Sequence, residues 1–182
     1  MPKIFDDVHQ SILDWSSSNT LAIGNDKAVI FVTYSELNSS HRSMRPGDHV
    51  TAVKFSNENL LAVGTIHGKI MLRDMVKERK ILQRDDDHIG RINSIDWYGN
   101  LFATASKEGV VSIRDTRMPE LVYFYKPHLQ DINRLKWHKN GIYIASGGVD
   151  KDVKIHCYGQ KKDICCYNQH GGTVRGLDWV PG

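Results

Sequence analysis

The chain has 182 residues, 40% hydrophobic and 25% charged, with a formal net charge of +3. That length suits one domain or a small pair, and so small a charge gives no argument for a nucleic-acid partner. No run approaches the roughly 18 apolar residues of a membrane helix, and Met1-Pro-Lys-Ile-Phe-Asp-Asp7 lacks the apolar stretch of a secretory signal.

Short strand-like phrases return along the chain, each closed by an aromatic residue: Trp15, Phe55, Trp97, Trp137 and Trp179, whose numbers differ by 40, 42, 40 and 42. A period of about 40–45 residues built from short strands is the signature of a WD-repeat β-propeller blade. The first repeat spans about residues 4–34, with strands expected at Ser11–Trp15, Leu21–Ile23 and Ala28–Val32. The polar stretch Ser35 to Gly47 reads as an exposed connection. The second repeat, 48–84, places strands at Val50–Phe55, Leu60–Val63 and Lys69–Arg73, with Ile81-Leu82 outermost. The third, 88–125, uses Ile92–Trp97, Leu101–Ala105, Val110–Arg114 and Leu121–Tyr125. The fourth, 128–167, uses Ile132–Trp137, Ile142–Ser146, Val153–His156 and Ile164–Tyr167; a fifth, 170–182, holds one strand. The alternation in these runs is that of half-buried strands. The expected fold is all-β: about four blades and the first strand of a fifth, an incomplete form of a seven-bladed ring. A raw strand edge is a liability that ring closure removes. The sequence therefore reads as the front portion of a longer protein, or as a part completed by another chain.

His88, His128 and His170 each precede their tryptophan by nine residues. Equal spacing in three blades points to one repeated structural role, with Thr104 or Ser106 and Ser146 as candidate partners of His88 and His128. No phosphate loop, Gly-x-Ser-x-Gly elbow or His-Glu-x-x-His helix is present, so no enzyme is expected, and no cofactor. Asp85-Asp-Asp-His88 reads as a turn cap in a connection rather than a metal site. Cys157, Cys165 and Cys166 suit neither a disulfide framework nor a zinc knuckle, so a reducing compartment, nucleus and cytoplasm, is expected.

Ser11-Ile-Leu-Asp-Trp-Ser-Ser-Ser-Asn-Thr-Leu-Ala-Ile-Gly24, Leu61-Ala-Val-Gly-Thr65, Gly90-Arg-Ile-Asn-Ser-Ile-Asp-Trp97, His128-Leu-Gln-Asp-Ile-Asn-Arg-Leu-Lys-Trp137 and Gln169-His-Gly-Gly-Thr-Val-Arg-Gly-Leu-Asp-Trp179 resemble, in order, the Fizzy/Fizzy-related family. These are WD-repeat coactivators of the anaphase-promoting complex. The resemblance implies a non-enzymatic receptor for degron peptides, partnered by subunits of that ubiquitin ligase and by its cell-cycle substrates, with no nucleic acid or membrane. It places Asp7 against the arginine of a destruction box, Arg-x-x-Leu, where a carboxylate can accept the guanidinium bidentately. It places Asp14 against a KEN-box peptide. Three departures from the usual pattern stand in the sequence. The family's two asparagines after Ala145-Ser-Gly-Gly148 are Val149 and Lys151 here, one unable to hydrogen-bond and the other without an acceptor. The Trp-Asp pair that usually ends a third strand is Arg73-Asp74, Arg114-Asp115 and His156-Cys157, so an incomplete internal network and a less stable blade are expected. The family's C-box segment and Ile-Arg tail are not in these 182 residues. The rival expectation is a general WD-repeat scaffold without degron binding.

Overall fold

The computed structural model describes residues 11–34, 39–160 and 163–180. Its regular structure there is four separate four-stranded sheets, each an antiparallel meander in chain order. The first holds β1 (Leu13–Trp15), β2 (Thr20–Asn25), β3 (Ala28–Tyr34) and β4 (Ser39–Met44). The second holds β5 (Val50–Phe55), β6 (Leu60–Thr65), β7 (Ile70–Asp74) and β8 (Arg79–Arg84). The third holds β9 (Ile92–Tyr98), β10 (Leu101–Ser106), β11 (Val111–Asp115) and β12 (Leu121–Tyr125). The fourth holds β13 (Ile132–Trp137), β14 (Tyr143–Gly148), β15 (Val153–Cys157) and β16 (Asp163–Tyr167).

The predicted strands of the first four repeats fall where expected to within a few residues, and two features differ from expectation. Ser39–Met44 is a strand and not a connection, paired along its length with β3 from Val29↔Met44 to Tyr34↔Ser39. It is an outer strand of mostly polar residues. The fifth phrase forms no strand among the described residues; it is held by Val174, which is buried and donates its N–H to the Gly148 carbonyl at 3.1 Å.

Two compact units divide the chain, Met1–Ile92 and Asn93–Gly182. The first packs Val29 and Phe31 of β3 against Val53 and Phe55 of β5 and Leu61 and Val63 of β6, with Met44, Met71 and Met75 at the margin. The second packs Ala103, Ala105, Val111 and Ile113 against Ile132, Leu135, Trp137 and Ile144. The inner strands are short and rich in β-branched residues, and β5, β6, β9, β10 and β11 are buried on both faces, each large apolar side chain contributing about 1.5–3 kcal/mol.

The aromatic anchors do not share one environment. Phe55 and Trp137 are buried, and Trp97 packs against Phe102 in a tilted contact with centroids 5.0 Å apart. Trp179 meets His138 edge-on at 4.7 Å and donates from Nε1 to the Lys136 carbonyl at 3.2 Å. Trp15 departs from the expected core position, with 55% of its surface exposed.

Each anchor closes its strand the same way where the next residue is serine. The hydroxyls of Ser16 and Ser56 accept the N–H groups of Thr20 and Leu60, at 3.0 and 3.1 Å, pinning the turn into the second strand. The third and fourth strands of three sheets share a bulge, at Leu72/Arg73, Ile113/Arg114 and Ile155/His156. A bulge re-aims the side chain at that point. Arg73 and Arg114 reach along their own blades to the carbonyls of Glu78 and Pro119, each at 2.9 Å. Asp74 and Asp115 then cap the following turns through the N–H groups of Val76, Lys77 and Arg117. The Lys77 N–H holds the Asp74 carboxyl below its ordinary value, and the Arg117 guanidinium does so at Asp115. In the fourth sheet Cys157 makes no such cap; its thiol lies 3.8 Å from the Tyr158 carbonyl.

Candidate functional site

Neighbouring blades are fastened at two heights. At the first, a side chain early in one blade donates to the backbone carbonyl that opens the next. Thr51 reaches the Ile92 carbonyl at 2.6 Å, Asn93 that of Ile132 at 2.9 Å, and Asn133 that of Val174 at 3.1 Å. At the second, the aspartate before the anchor accepts the anchor N–H of the following blade. Asp14 accepts from Phe55 at 2.6 Å, and Asp96 from Trp137 at 2.7 Å. The Lys54 ammonium lies 2.7 Å from Asp14, and that of Lys136 3.8 Å from Asp96.

Asp14 therefore has both carboxylate oxygens occupied within the chain, and its side chain is only 13% exposed. Leaving the Phe55 N–H without an acceptor costs about 1–3 kcal/mol. Asp14→Ala is accordingly expected to lower the unfolding free energy by that amount, read as the urea midpoint at constant slope. An unshifted midpoint would mean that this carboxylate does not fasten the blades.

The hairpins between second and third strands meet the connections between blades. In the first unit, His49 Nδ1 sits 2.5 Å from the Asp26 carboxylate, and Asp48 takes the Nδ1 of His67 at 2.9 Å. Val50 donates to the Asp26 carbonyl and Ile66 to that of His49. Burial pushes the Asp48 carboxyl up, but the His67 ring, the Thr65 side chain and the His49 and His67 N–H groups outweigh it and hold it at about 2. In the second unit the pairing has the sense of Asp26–His49: the connection supplies His128, and the hairpin supplies Asp150. His128 Nδ1 lies 2.8 and 3.0 Å from the two Asp150 oxygens, and Val149 donates to the Asp131 carbonyl. Beside the Asp26–His49 pair is a pocket of about 420 Å³ lined by Asn25, Asp26, Lys27, Ala28, Arg45 and Gly47. It presents side chains of both charges, and the buried Asn25 Oδ1 has no hydrogen-bond partner.

A chain of buried groups runs inward from Asp150. His128 Nε2 is 2.9 Å from Ser146 Oγ, the partner anticipated from spacing. The same hydroxyl is 2.9 Å from His156 Nε2, and His156 Nδ1 faces Asp163 Oδ1 at 2.7 Å. Burial pushes the His156 imidazole down to about 4, against the pull of Asp163. The expected incomplete network is thus a longer one in this blade. His156 stands where a tryptophan would end the strand, and it adds Asp163 to the chain. The signal was legible as His156-Cys157 at the Trp-Asp position, but its partner Asp163 lies on another strand.

The remaining expected residues divide. His88 is buried like His128, whereas His170 is exposed. The hydroxyls of Thr104 and Ser106 donate to the carbonyls of Ser112 and Val110, at 3.5 and 3.2 Å. Val149 and Lys151 sit in the β14–β15 hairpin, Lys151 with φ +70°. Asp7 lies outside the described residues. The thiols of Cys157, Cys165 and Cys166 are free.

The family model of the WD domain, G-beta repeat, matches residues 119–157. The chain is 26% identical over 181 residues to the APC/C activator protein CDH1 of Saccharomyces cerevisiae, covering 99% of this chain and 32% of that protein. It is 29% identical to the anaphase-promoting complex subunit cdc20 of Dictyostelium discoideum, and 27% to meiotic fizzy-related protein 1 of Schizosaccharomyces pombe, over 37% and 43% of their lengths. The chain thus spans about a third to two-fifths of these relatives. A chain in the crystal structure of the mitotic checkpoint complex superposes with a TM-score of 0.91 at 24% identity, over 99% of this chain and 58% of that one. With the four sheets, this makes the fold that of a WD-repeat β-propeller.

Proposed function

We propose, from a likeness to the Fizzy/Fizzy-related WD-repeat family that runs the length of the chain, that this protein acts as a non-enzymatic recognition adaptor of the anaphase-promoting complex. In this reading it binds degron-bearing cell-cycle proteins in the nucleus and cytoplasm while the ligase performs the chemistry. The similarity over 99% of the chain to activators of that complex carries the reading. The construction of the blades supports it, because paired carboxylates and imidazoles fix the hairpins that would display recognition side chains. Recognition on rigid loops loses little entropy when a peptide settles on them.

Asp7 is the residue proposed to receive the arginine of a destruction box. A charge-assisted bond of this kind contributes about 1.5–3 kcal/mol, or tenfold and more in affinity. The test is a fluorescence titration of the full chain with an Arg-x-x-Leu peptide. Saturable binding is expected, weakened at least tenfold by Asp7→Ala and by alanine at the peptide arginine. Binding indifferent to both changes would overturn the assignment.

A second reading, a scaffold without degron binding, is favoured by Asp14, whose carboxylate already serves Lys54 and Phe55, and by Val149 and Lys151 at the hairpin. Absence of any peptide binding in the same titration would select it.

A further inference from the structure

The turn between the second and third strands is shorter in the first blade than in the others. Asn25 pairs with Ala28, so only Asp26 and Lys27 separate β2 from β3. Four residues separate β6 from β7, β10 from β11 and β14 from β15. Two of the longer turns sit directly on the connection that leads into the next blade. A Cβ built on Gly68 would stand 2.3 Å from the His88 carbonyl oxygen, and one on Gly109 would stand 2.1 Å from that of His128. His88 and His128 each precede the next anchor by nine residues, and Pro46 holds that place before Phe55. The short turn has no residue to lay over Pro46. The cavity of about 420 Å³ lies there, between Asn25–Ala28 and the residues that flank Pro46, Arg45 and Gly47.

Asn25 registers the same shortening. Thr65 and Ser106 end β6 and β10, and their hydroxyls close their own turns. Thr65 accepts the Lys69 N–H at 3.1 Å, and Ser106 donates to the Val110 carbonyl at 3.2 Å. Asn25 ends β2 in the same place, and its buried Oδ1 has no partner. The charges on the cavity wall are uncommitted as well. Lys27 and Arg45 are exposed and make no ion pair among the described residues. Asp26 holds His49 Nδ1 through Oδ1, and its second oxygen has no partner among the described residues.

We propose that this cavity receives an acidic side chain of a partner polypeptide, held by Lys27 and Arg45, while a backbone N–H of the same segment is donated to Asp26. A carboxylate suits the two cations, because a guanidinium can meet both of its oxygens and an ammonium adds a compact charge. Of the six lining residues only Ala28 has an apolar side chain, so an apolar anchor finds little to pack against. A lone oxyanion would leave most of the volume unfilled and face Asp26 without a donor to offer it. Pockets of roughly 300–1,000 Å³ take ligands larger than single ions, and a peptide brings both an acid and N–H groups. The site is independent of the Asp7 assignment, since the arginine of a destruction box would meet two unpaired cations here.

The test is a ¹⁵N–¹H NMR titration of the full chain with the end-blocked pentapeptide Gly-Glu-Gly-Glu-Gly. Saturable shifts are expected at the amides of Asp26, Lys27, Ala28, Arg45 and Gly47. Glutamine in place of both peptide glutamates is expected to weaken binding at least about tenfold, as is Lys27→Ala combined with Arg45→Ala in the protein. Equal binding of the glutamine peptide would overturn the proposal, and that comparison needs no variant to fold. Shifts confined to other residues would overturn it too. Inorganic phosphate is titrated in parallel. If it moves the same amides at no higher concentration than the peptide does, the cavity is an anion site only and the peptide assignment falls.

Discussion

Gly109→Ala is expected to destabilise the protein by about 2–5 kcal/mol. Gly109 has φ +78°, and a Cβ built on it would stand 2.1 Å from the His128 carbonyl oxygen and 2.9 Å from that of Gln130. The left-handed backbone alone costs an alanine about 1–2 kcal/mol. Overpacking adds about 1–3, because the obstacle is backbone and not the tip of a flexible side chain. Gly159→Ala separates these contributions, since Gly159 has φ +82° and nothing within 4 Å of its built Cβ. It is expected to lose only the conformational part. Thermal melts of the two variants side by side provide the measurement. Equal losses would mean that the connection does not rest on the Gly109 turn.

The second large effect is in the core. Phe102 is wholly buried and packed against Trp97 at 5.0 Å, so Phe102→Ala removes a ring with little chance of local collapse. The expected loss is about 3–5 kcal/mol. Phe124, on the outer strand β12, is 60% exposed, and the same replacement there is expected to stay within about 0.5 kcal/mol. The pair is read by urea denaturation. A small loss at Phe102 would place that ring outside the core and contradict the blade packing.

The inner three strands of every blade were legible because they carry a face to bury. Val50–Phe55, Ile92–Trp97 and Ile132–Trp137 alternate or run apolar, and the structure reproduces their limits closely. Ser39–Met44 was not legible, since Ser39-Ser-His-Arg-Ser43 shows no apolar period. Trp15 reads like the other anchors, yet burial is a property of neighbours and not of the residue itself. At the candidate site, spacing found His128 and Ser146, which are both parts of one repeat. It did not find Asp48 with His67 or Asp150, whose roles depend on which loops meet in space. Asp14 was visible as a carboxylate, but its two partners in the next blade were not.

The bonds between blades have a kinetic consequence. The donors and acceptors that join one blade to the next lie 41, 39, 41 and 41 residues apart at Thr51–Ile92, Asn93–Ile132, Asn133–Val174 and Asp14–Phe55. Within a blade, pairing closes only short hairpins. Among the described residues, these bonds between blades thus close loops of about a single period, and closure entropy grows only slowly with loop length. Structure can begin in any blade and spread to its neighbour, as in a one-dimensional array. A polypeptide emerging from the ribosome would then acquire each blade shortly after it is synthesised, without waiting for distant sequence.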